Sequence, residues 1–264
     1  MATKLQRVQP RPAPRRASVA QSESMARRRR RAPRVRAANK SAVPRGRNRA
    51  AQEAAIITAA ERVFAGAGFG GATMAAIAMA AGLPKPNLHY YFGNKRALYL
   101  AVLERTLREW LEPADTIVAD ADPRAALECY IREKMRQSFA RPYASRVWAN
   151  ELLHGAPELR GTLVRTLRPL VRRKAAVIEQ WIAAGRMASV DSVHLFFTIW
   201  AATQTYADFE VQICAVLGRA SLDGQAQARA TQHVVSLVLR GCGLAAANDG
   251  ESRSRRSQSA SSSP

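Results

Sequence analysis

Apolar residues recur every three or four positions over most of the chain, and no stretch shows the strict alternation of a half-buried strand. The period predicts helices throughout. The first, roughly 47–66, carries Ile56, Ile57, Ala60, Val63, Phe64 and Ala67 on one face, and "GAGFGG" stops it. Thr73 is a good N-cap for a short helix containing Met74, Ile77, Ala78 and Ala81, and Gly82 ends that helix. A third short helix follows at about 84–91. Asn94 caps a fourth, with Leu98, Leu100, Ala101, Leu103, Leu107 and Trp110 along it, and Pro113 ends or kinks it. Further helices are predicted at about 123–139, 143–153, 157–185, 190–217 and 224–242. Gly66, Gly68 and Gly71 match G-x-G-x-x-G, but a helix precedes them and no βαβ pattern exists, so they read as an inter-helix turn.

Charge divides the chain differently. Residues 1–50 hold 16 basic groups against one acid, Glu23, whereas residues 51–248 carry a net charge of only +5. Residues 1–46 are rich in Pro, Arg, Ser and Ala, with almost no large apolar groups. Such a segment cannot bury enough surface to offset ordering entropy, which predicts a disordered basic arm. "SRSRRSQSASSSP" predicts a disordered tail over 245–264. Met25 leaves open a later start for the chain. Cys129, Cys214 and Cys242 are far apart and odd in number, which fits a reducing cytoplasm. No run reaches the length of a membrane span, and no apolar stretch follows the N-terminal arginines as a secretory signal requires.

Short helix, glycine turn, short helix is the helix-turn-helix arrangement, whose second helix enters the major groove of DNA. Lys85 and Lys95 supply charge, Asn87 and His89 can bond bases or phosphates, and Tyr90 and Tyr91 offer hydroxyls, while Leu83, Leu88 and Phe92 can face inward. The run "FAGAGFGGATMAAIAMAAGLPKPNLHYYFGNKRALYLAVL" resembles the DNA-binding domain of TetR-family regulators over about residues 49–109, with 72–91 as the helix-turn-helix. Members of that family usually open the recognition helix with Ser or Thr. Here Pro84 stands there, with Pro86 two residues on; proline is tolerated in a first turn, but the hydroxyl contact is lost. The DNA-contact candidates are therefore Thr73, Lys85, Asn87, His89, Tyr90 and Lys95. Arg45, Arg47 and Arg49 join them as the end of an arm that also contains five consecutive arginines, Arg27 to Arg31, suited to neutralising phosphates.

The remainder has no nucleophile motif, and His154, His194 and His233 lie on separate segments without metal-site spacing. Residues 192–218, among its most apolar, nevertheless contain Trp200, Gln204, Tyr206 and Asp208. Polar groups on a buried face need partners; a ligand, a dimer interface or internal hydrogen bonds would each serve. "LREWLEP", "CYIREKMRQSFARPYASRVWANELLHGAPEL" and "IWAATQTYADFEVQ" resemble pyrimidine-responsive members of the same family. That resemblance implies a uracil or thymine pocket formed by Trp200, Gln204, Tyr206 and Asp208, with Trp110 and Trp148 as further lining. It also implies homodimerisation through the last two helices.

The whole reads as an all-α chain with four parts. Residues 1–46 form the arm, 47–110 a three-helix helix-turn-helix domain, 111–244 a helical sensing and dimerisation domain, and 245–264 the tail. The implied protein is a cytoplasmic, homodimeric regulator, most simply a repressor. It binds an operator in double-stranded DNA, answers to a small effector, and has no cofactor, metal or membrane partner. A different small ligand, a helical enzyme acting on a metabolite, and a non-specific basic DNA binder are the alternatives.

Overall fold

In the computed structural model five polar side chains start helices by accepting a backbone N–H in the first turn. Thr73 opens α2 (Met74–Ala80), Asn94 opens α4 (Lys95–Leu111), and Asp122 opens α5 (Pro123–Ala140). Asp191 opens α9 (Ser192–Asp208) and Asp223 opens α11 (Gly224–Gly241). Each satisfies one of the N–H groups that a helix leaves unpaired at its start. The structure describes residues 45–244, with side chains from Arg49 onward. The expected disordered arm and tail, and the side chains of Arg45 and Arg47, lie outside the described residues.

The other elements are α1 (Arg45–Gly71), α3 (Lys85–Phe92), α6 (Pro142–Leu153), α7 (Arg160–Thr162), α8 (Arg168–Ala183) and α10 (Glu210–Leu217). A 3₁₀ turn, Glu112–Thr116, follows α4, and a π-helical stretch, Leu163–Leu167, joins α7 to α8. No strand occurs among the described residues. Two predicted boundaries shift. The first helix runs on through the glycine-rich segment and kinks at Gly68, whose φ of 65° is the left-handed value that glycine adopts without strain. The single helix expected over 190–217 is two, broken at Phe209, where φ −116° and ψ 29° leave the helical region. No glycine or proline stands at the break to mark it in the sequence.

Two hydrophobic cores form. One takes Ile56, Phe64, Ile77, Leu88, Leu98 and Leu103 from the first four helices and adds Val147, Trp148, Ala156 and Leu159 from beyond them. The other gathers Leu127, Ile131, Met135, Ile178, Trp181, Phe196, Ile199 and Leu239. The expected divide near residue 110 is thus crossed by packing, with α6 lying against α1, α4 and α9. In the second core the indole N–H of buried Trp181 donates to the carbonyl of Ala119 at 3.0 Å, so the largest buried side chain there leaves no donor unpaired.

Candidate functional site

The DNA-reading side is built on α2 and α3. Gly82, at φ 65°, turns the chain, and the amide of Leu83 returns to the carbonyl of Ala78 at 2.9 Å, closing the end of α2. Pro84 caps α3 without a side-chain bond and Pro86 occupies its first turn, so the predicted helix forms without its hydroxyl. Leu88 is fully buried and fixes α3 on the body, while Lys85, Asn87, His89 and Tyr90 are exposed, Tyr90 by 71%. The exposed surface of α3 therefore carries a cation, an amide, an imidazole and a phenol, an inventory suited to phosphates and base edges.

Several of these groups also have partners in the chain. The Thr73 hydroxyl accepts from the amide of Ala76 at 3.1 Å. His89 Nδ1 lies 2.7 Å from the carbonyl of Gly93, leaving Nε2 as its outward nitrogen. Arg49 pairs with Glu53 at 2.9 Å, donates to the Tyr90 hydroxyl at 3.3 Å, and lies 5.4 and 5.5 Å from the ring centres of Tyr90 and Tyr91. Lys95 differs from the expectation in its surroundings. Its ammonium lies 2.7, 3.3 and 3.0 Å from the carbonyls of Phe69, Gly70 and Ala72, and 4.6 Å from the Phe69 ring centre. All three donors are engaged, so Lys95 ties the start of α4 to the end of α1.

The second site is a cavity of about 90 Å³ at the seam between the two cores. Trp110 and Trp148 reach it from the first core and Tyr130, Trp200 and Gln204 from the second, with Leu163 and Leu167 of the π-helical stretch completing the wall. Trp110 and Trp148 meet edge to face with ring centres 5.4 Å apart. The Trp200 indole N–H donates to the Tyr130 hydroxyl at 2.7 Å, which fixes both rings, and burial pushes the Tyr130 phenol up to about 12. Four of the six expected pocket residues, Trp110, Trp148, Trp200 and Gln204, thus come together.

Tyr206 and Asp208 do not line that cavity. Tyr206 points toward Phe139, ring centres 5.8 Å apart, and lines a groove beside α11 instead. Two positions past Gln204 is about 200° around a helix, which is why it faces elsewhere. Asp208 accepts from the Ser145 hydroxyl at 2.7 Å on α6, and burial holds its carboxyl above the usual range.

Sequence reasoning missed the group that sets the chemistry. Lys134 lines the cavity and is only 2% exposed. Its ammonium sits 4.1 Å from the Trp110 ring centre, and no acceptor among the described residues bonds it. Burial pushes its pKa down to about 7, with the charge of Asp208 opposing. A signal existed: Leu127, Ile131, Lys134 and Ser138 follow helical spacing, so a lysine occupies a position on the buried stripe of α5. The Gln204 amide also has no hydrogen-bond partner among the described residues. Donors of this kind, facing a cavity walled by tryptophan, fit a small flat molecule that carries acceptor oxygens.

The cavity connects to the head through α4 and α6. Leu98 and Tyr99 belong to the head core and Trp110 to the cavity, three turns apart on α4. Arg141, at the junction of α5 and α6, pairs with Glu61 of α1 and Glu109 of α4. The Tyr99 hydroxyl donates to Glu151 of α6 at 2.9 Å.

Comparisons with known proteins agree with this layout. Residues 56–102 match the family model "Bacterial regulatory proteins, tetR family", and residues 103–245 match "YcdC-like protein, C-terminal region". The chain is 41% identical to the HTH-type transcriptional regulator RutR of Escherichia coli over 197 residues, 75% of this chain and 93% of that protein. It is 27% identical to the HTH-type transcriptional repressor NicS of Pseudomonas putida over 70% of this chain and 90% of that one. Among solved structures, the TetR-family regulator PfmR from Thermus thermophilus superposes with a TM-score of 0.55 at 18% identity, over 70% of this chain and 94% of that one. AibR, solved with isovaleryl coenzyme A and operator DNA, superposes with a TM-score of 0.51 at 18% identity, over 70% of this chain and 97% of that one. The chain belongs to the TetR family and is a RutR-like helix-turn-helix, DNA-binding transcriptional regulator.

Proposed function

We propose that the regulator's effector is a small planar heterocycle with an imide edge, uracil or thymine, bound in the tryptophan-walled cavity. The observation that carries this reading is the buried Lys134 ammonium, which faces that cavity with no acceptor of its own. A pyrimidine imide edge alternates acceptor, donor and acceptor. The planar Gln204 amide matches an adjacent donor and acceptor, Lys134 donates to a carbonyl, and the indoles pack on the faces of the ring. The cavity's size supports the same class. About 90 Å³ lies below the range for drug-sized ligands, and a coenzyme A thioester of the kind bound by AibR would not fit.

The chain acts as a homodimer that places two α3 helices in successive major grooves of a near-palindromic operator. Effector binding against Trp110 shifts α4, and the links from α4 and α6 to α1 pass the shift to the head. DNA release follows if the effector binds better to the conformation whose heads no longer match the operator. Its action is repression relieved by effector, it works in the cytoplasm, and it catalyses no reaction on the pyrimidine.

The test is direct binding. Titrating the purified full chain with uracil or thymine in a calorimeter gives a saturable heat with one site per protomer, and added base weakens binding to the DNA upstream of the chain's own gene. Absence of heat with both bases overturns the effector assignment and leaves the DNA-binding role standing.

A further inference from the structure

A cavity walled by helices needs an entrance, and exposure locates it. Of the residues that line the effector cavity, Leu152 at the end of α6 is the most exposed, at 42%. Leu163 and Leu167 of the π-helical stretch line the same cavity, followed by Leu170 of α8. Leu153 and Val164, the sequence neighbours of Leu152 and Leu163, are exposed as well. Apolar side chains left in water at one edge of a ligand cavity fit a mouth better than a wall.

Two pieces of the wall depart from α-helical bonding. Ala114, in the 3₁₀ turn, is buried, so only the π-helical stretch lies at the exposed edge. It sits inside one continuous helix that runs from Arg160 to Ala183. There the amide of Arg168 bonds the carbonyl of Leu163, five residues back instead of four. Pro169 supplies the cause. It has no N–H for the carbonyl of Arg165, and its ring would crowd that carbonyl in an α register. The wider turn directly ahead of it relieves the crowding, and such turns recur at functional sites.

Both sides of this stretch are fixed. Ahead of it, the buried Glu151 carboxylate accepts from the amides of Glu158 and Leu159 at 2.6 and 3.1 Å and from the Tyr99 hydroxyl at 2.9 Å. Glu158 pairs with Arg96 of α4 at 2.8 Å. In the same turn Ala156 has φ 56°, the one left-handed non-glycine residue among the described residues, a conformation that persists only where its surroundings impose it. Behind it, α8 is anchored in the second core by Val171, Ala175, Ile178 and Trp181. Movement at the mouth therefore falls to residues 160–168.

We propose that the π-helical stretch is the gate of the effector cavity. A shift of its bonds between five-residue and four-residue steps moves Leu163 and Leu167 away from Leu152 and opens a path to Gln204 and Lys134. This assignment rests on the reading of that cavity as the effector site. One residue of register turns a side chain by about 100° around the helix, enough to swing Leu163 out of the wall. The ties to Tyr99 and Arg96 lie outside the moving residues, so opening the gate leaves the DNA head undisturbed. Entry of the effector and the signal to DNA are then separate events. A gate that opens less often slows entry and exit alike and leaves the equilibrium affinity unchanged.

The experiment compares the full chain with its Pro169→Ala variant, which supplies the missing amide and keeps the fold because alanine is the better helix former. The first measurement needs no ligand. Amide hydrogen exchange at residues 164–168 should be at least about fivefold faster than at residues 174–180 of the same helix, and the variant should bring the two within that factor. A smaller difference in the unsubstituted chain, or one that survives the substitution, overturns the gate. The second measurement is stopped-flow tryptophan fluorescence with uracil or thymine. The variant should slow both entry and exit by at least about fivefold and keep the dissociation constant within about threefold. Rates that fall by less overturn the gate, and so does a dissociation constant that moves with them, which marks a wall. If neither base binds the unsubstituted chain, the effector assignment fails, and the exchange comparison alone decides the gate.

Discussion

The reading edge and the effector cavity hold their polar groups in opposite ways. On the head, Lys85 and Asn87 stand in water, and Thr73, His89, Tyr90, Arg49 and Lys95 each bond to the chain itself. In the cavity, Lys134 and Gln204 face the tryptophan-walled space without such bonds among the described residues. Exposed groups tolerate a missing partner because water supplies one. A buried ammonium does not, and its presence costs stability until something else binds it. The contrast separates a surface prepared for a large polyanion from an interior prepared for one small molecule.

Substitution of Lys134 probes the interior side with the largest expected effect. Lys134→Met keeps the length of the side chain and removes the buried charge. Its folded pKa, about 7, lies below the ordinary lysine value of 10.5. The unfolded chain therefore holds the extra proton between those values, and stability rises with pH across that window. Removing the lysine should raise unfolding free energy at pH 7 by up to about 4 kcal/mol, read by urea unfolding, with a gain that shrinks toward pH 10. The same variant should lose effector affinity by roughly tenfold to a hundredfold, the worth of a hydrogen bond to a charged group. A variant that is more stable and still binds effector normally breaks the contrast.

The head gives the opposite pairing of stability and function. Lys95→Met removes three bonds to backbone carbonyls and should cost about 2–3 kcal/mol of stability. Lys85→Met should leave stability within about 0.5 kcal/mol, because Lys85 is exposed. It should lower the salt slope of DNA binding by about one. If the two lysines exchange these behaviours, the division between clamp and contact on the head is wrong.

A pH series sharpens the comparison further. Acceptor-bearing effectors prefer the charged form of Lys134, so their affinity should fall as pH rises from 6 through about 7 toward 8.5, and binding should take up protons above pH 7. DNA affinity in the absence of effector should change less over the same range. Calorimetry in buffers of different ionisation heat measures the proton uptake. Thr73→Ala removes the cap of α2 and should cost about 1 kcal/mol of stability, read by urea unfolding.

Much of this molecule was legible in its residues because local rules dominate a helical chain. Thr73, Asn94 and Gly82 marked the ends of α2 and α4, since a cap or a left-handed turn depends on one residue. Leu88 inward and Tyr90 outward followed from the period. A four-residue step brought Trp200 and Gln204 to the cavity but not Asp208, which turns to Ser145 instead. The break at Phe209 was not, because neither a glycine nor a proline marks it. Nor was Lys95 as a clamp: its partners sit 23 to 26 residues away, at the end of another helix. Lys134 was visible in the stripe of α5, but its meaning depends on Trp110, 24 residues earlier in the chain, and on Gln204, 70 residues later. Only packing brings these together.

The central claim is that a pyrimidine bound at Lys134 controls the DNA head through α4. It is tested most directly by measuring DNA affinity at pH 6.5, with and without uracil, for the full chain and for its Lys134→Met variant. The account predicts that uracil weakens DNA binding by the unsubstituted chain at least about tenfold, a coupling of about 1.4 kcal/mol. It also predicts that the variant binds the same DNA equally well in both conditions. A variant that responds to uracil as fully as the unsubstituted chain contradicts the role of Lys134, and an unsubstituted chain that ignores uracil and thymine contradicts the pyrimidine assignment.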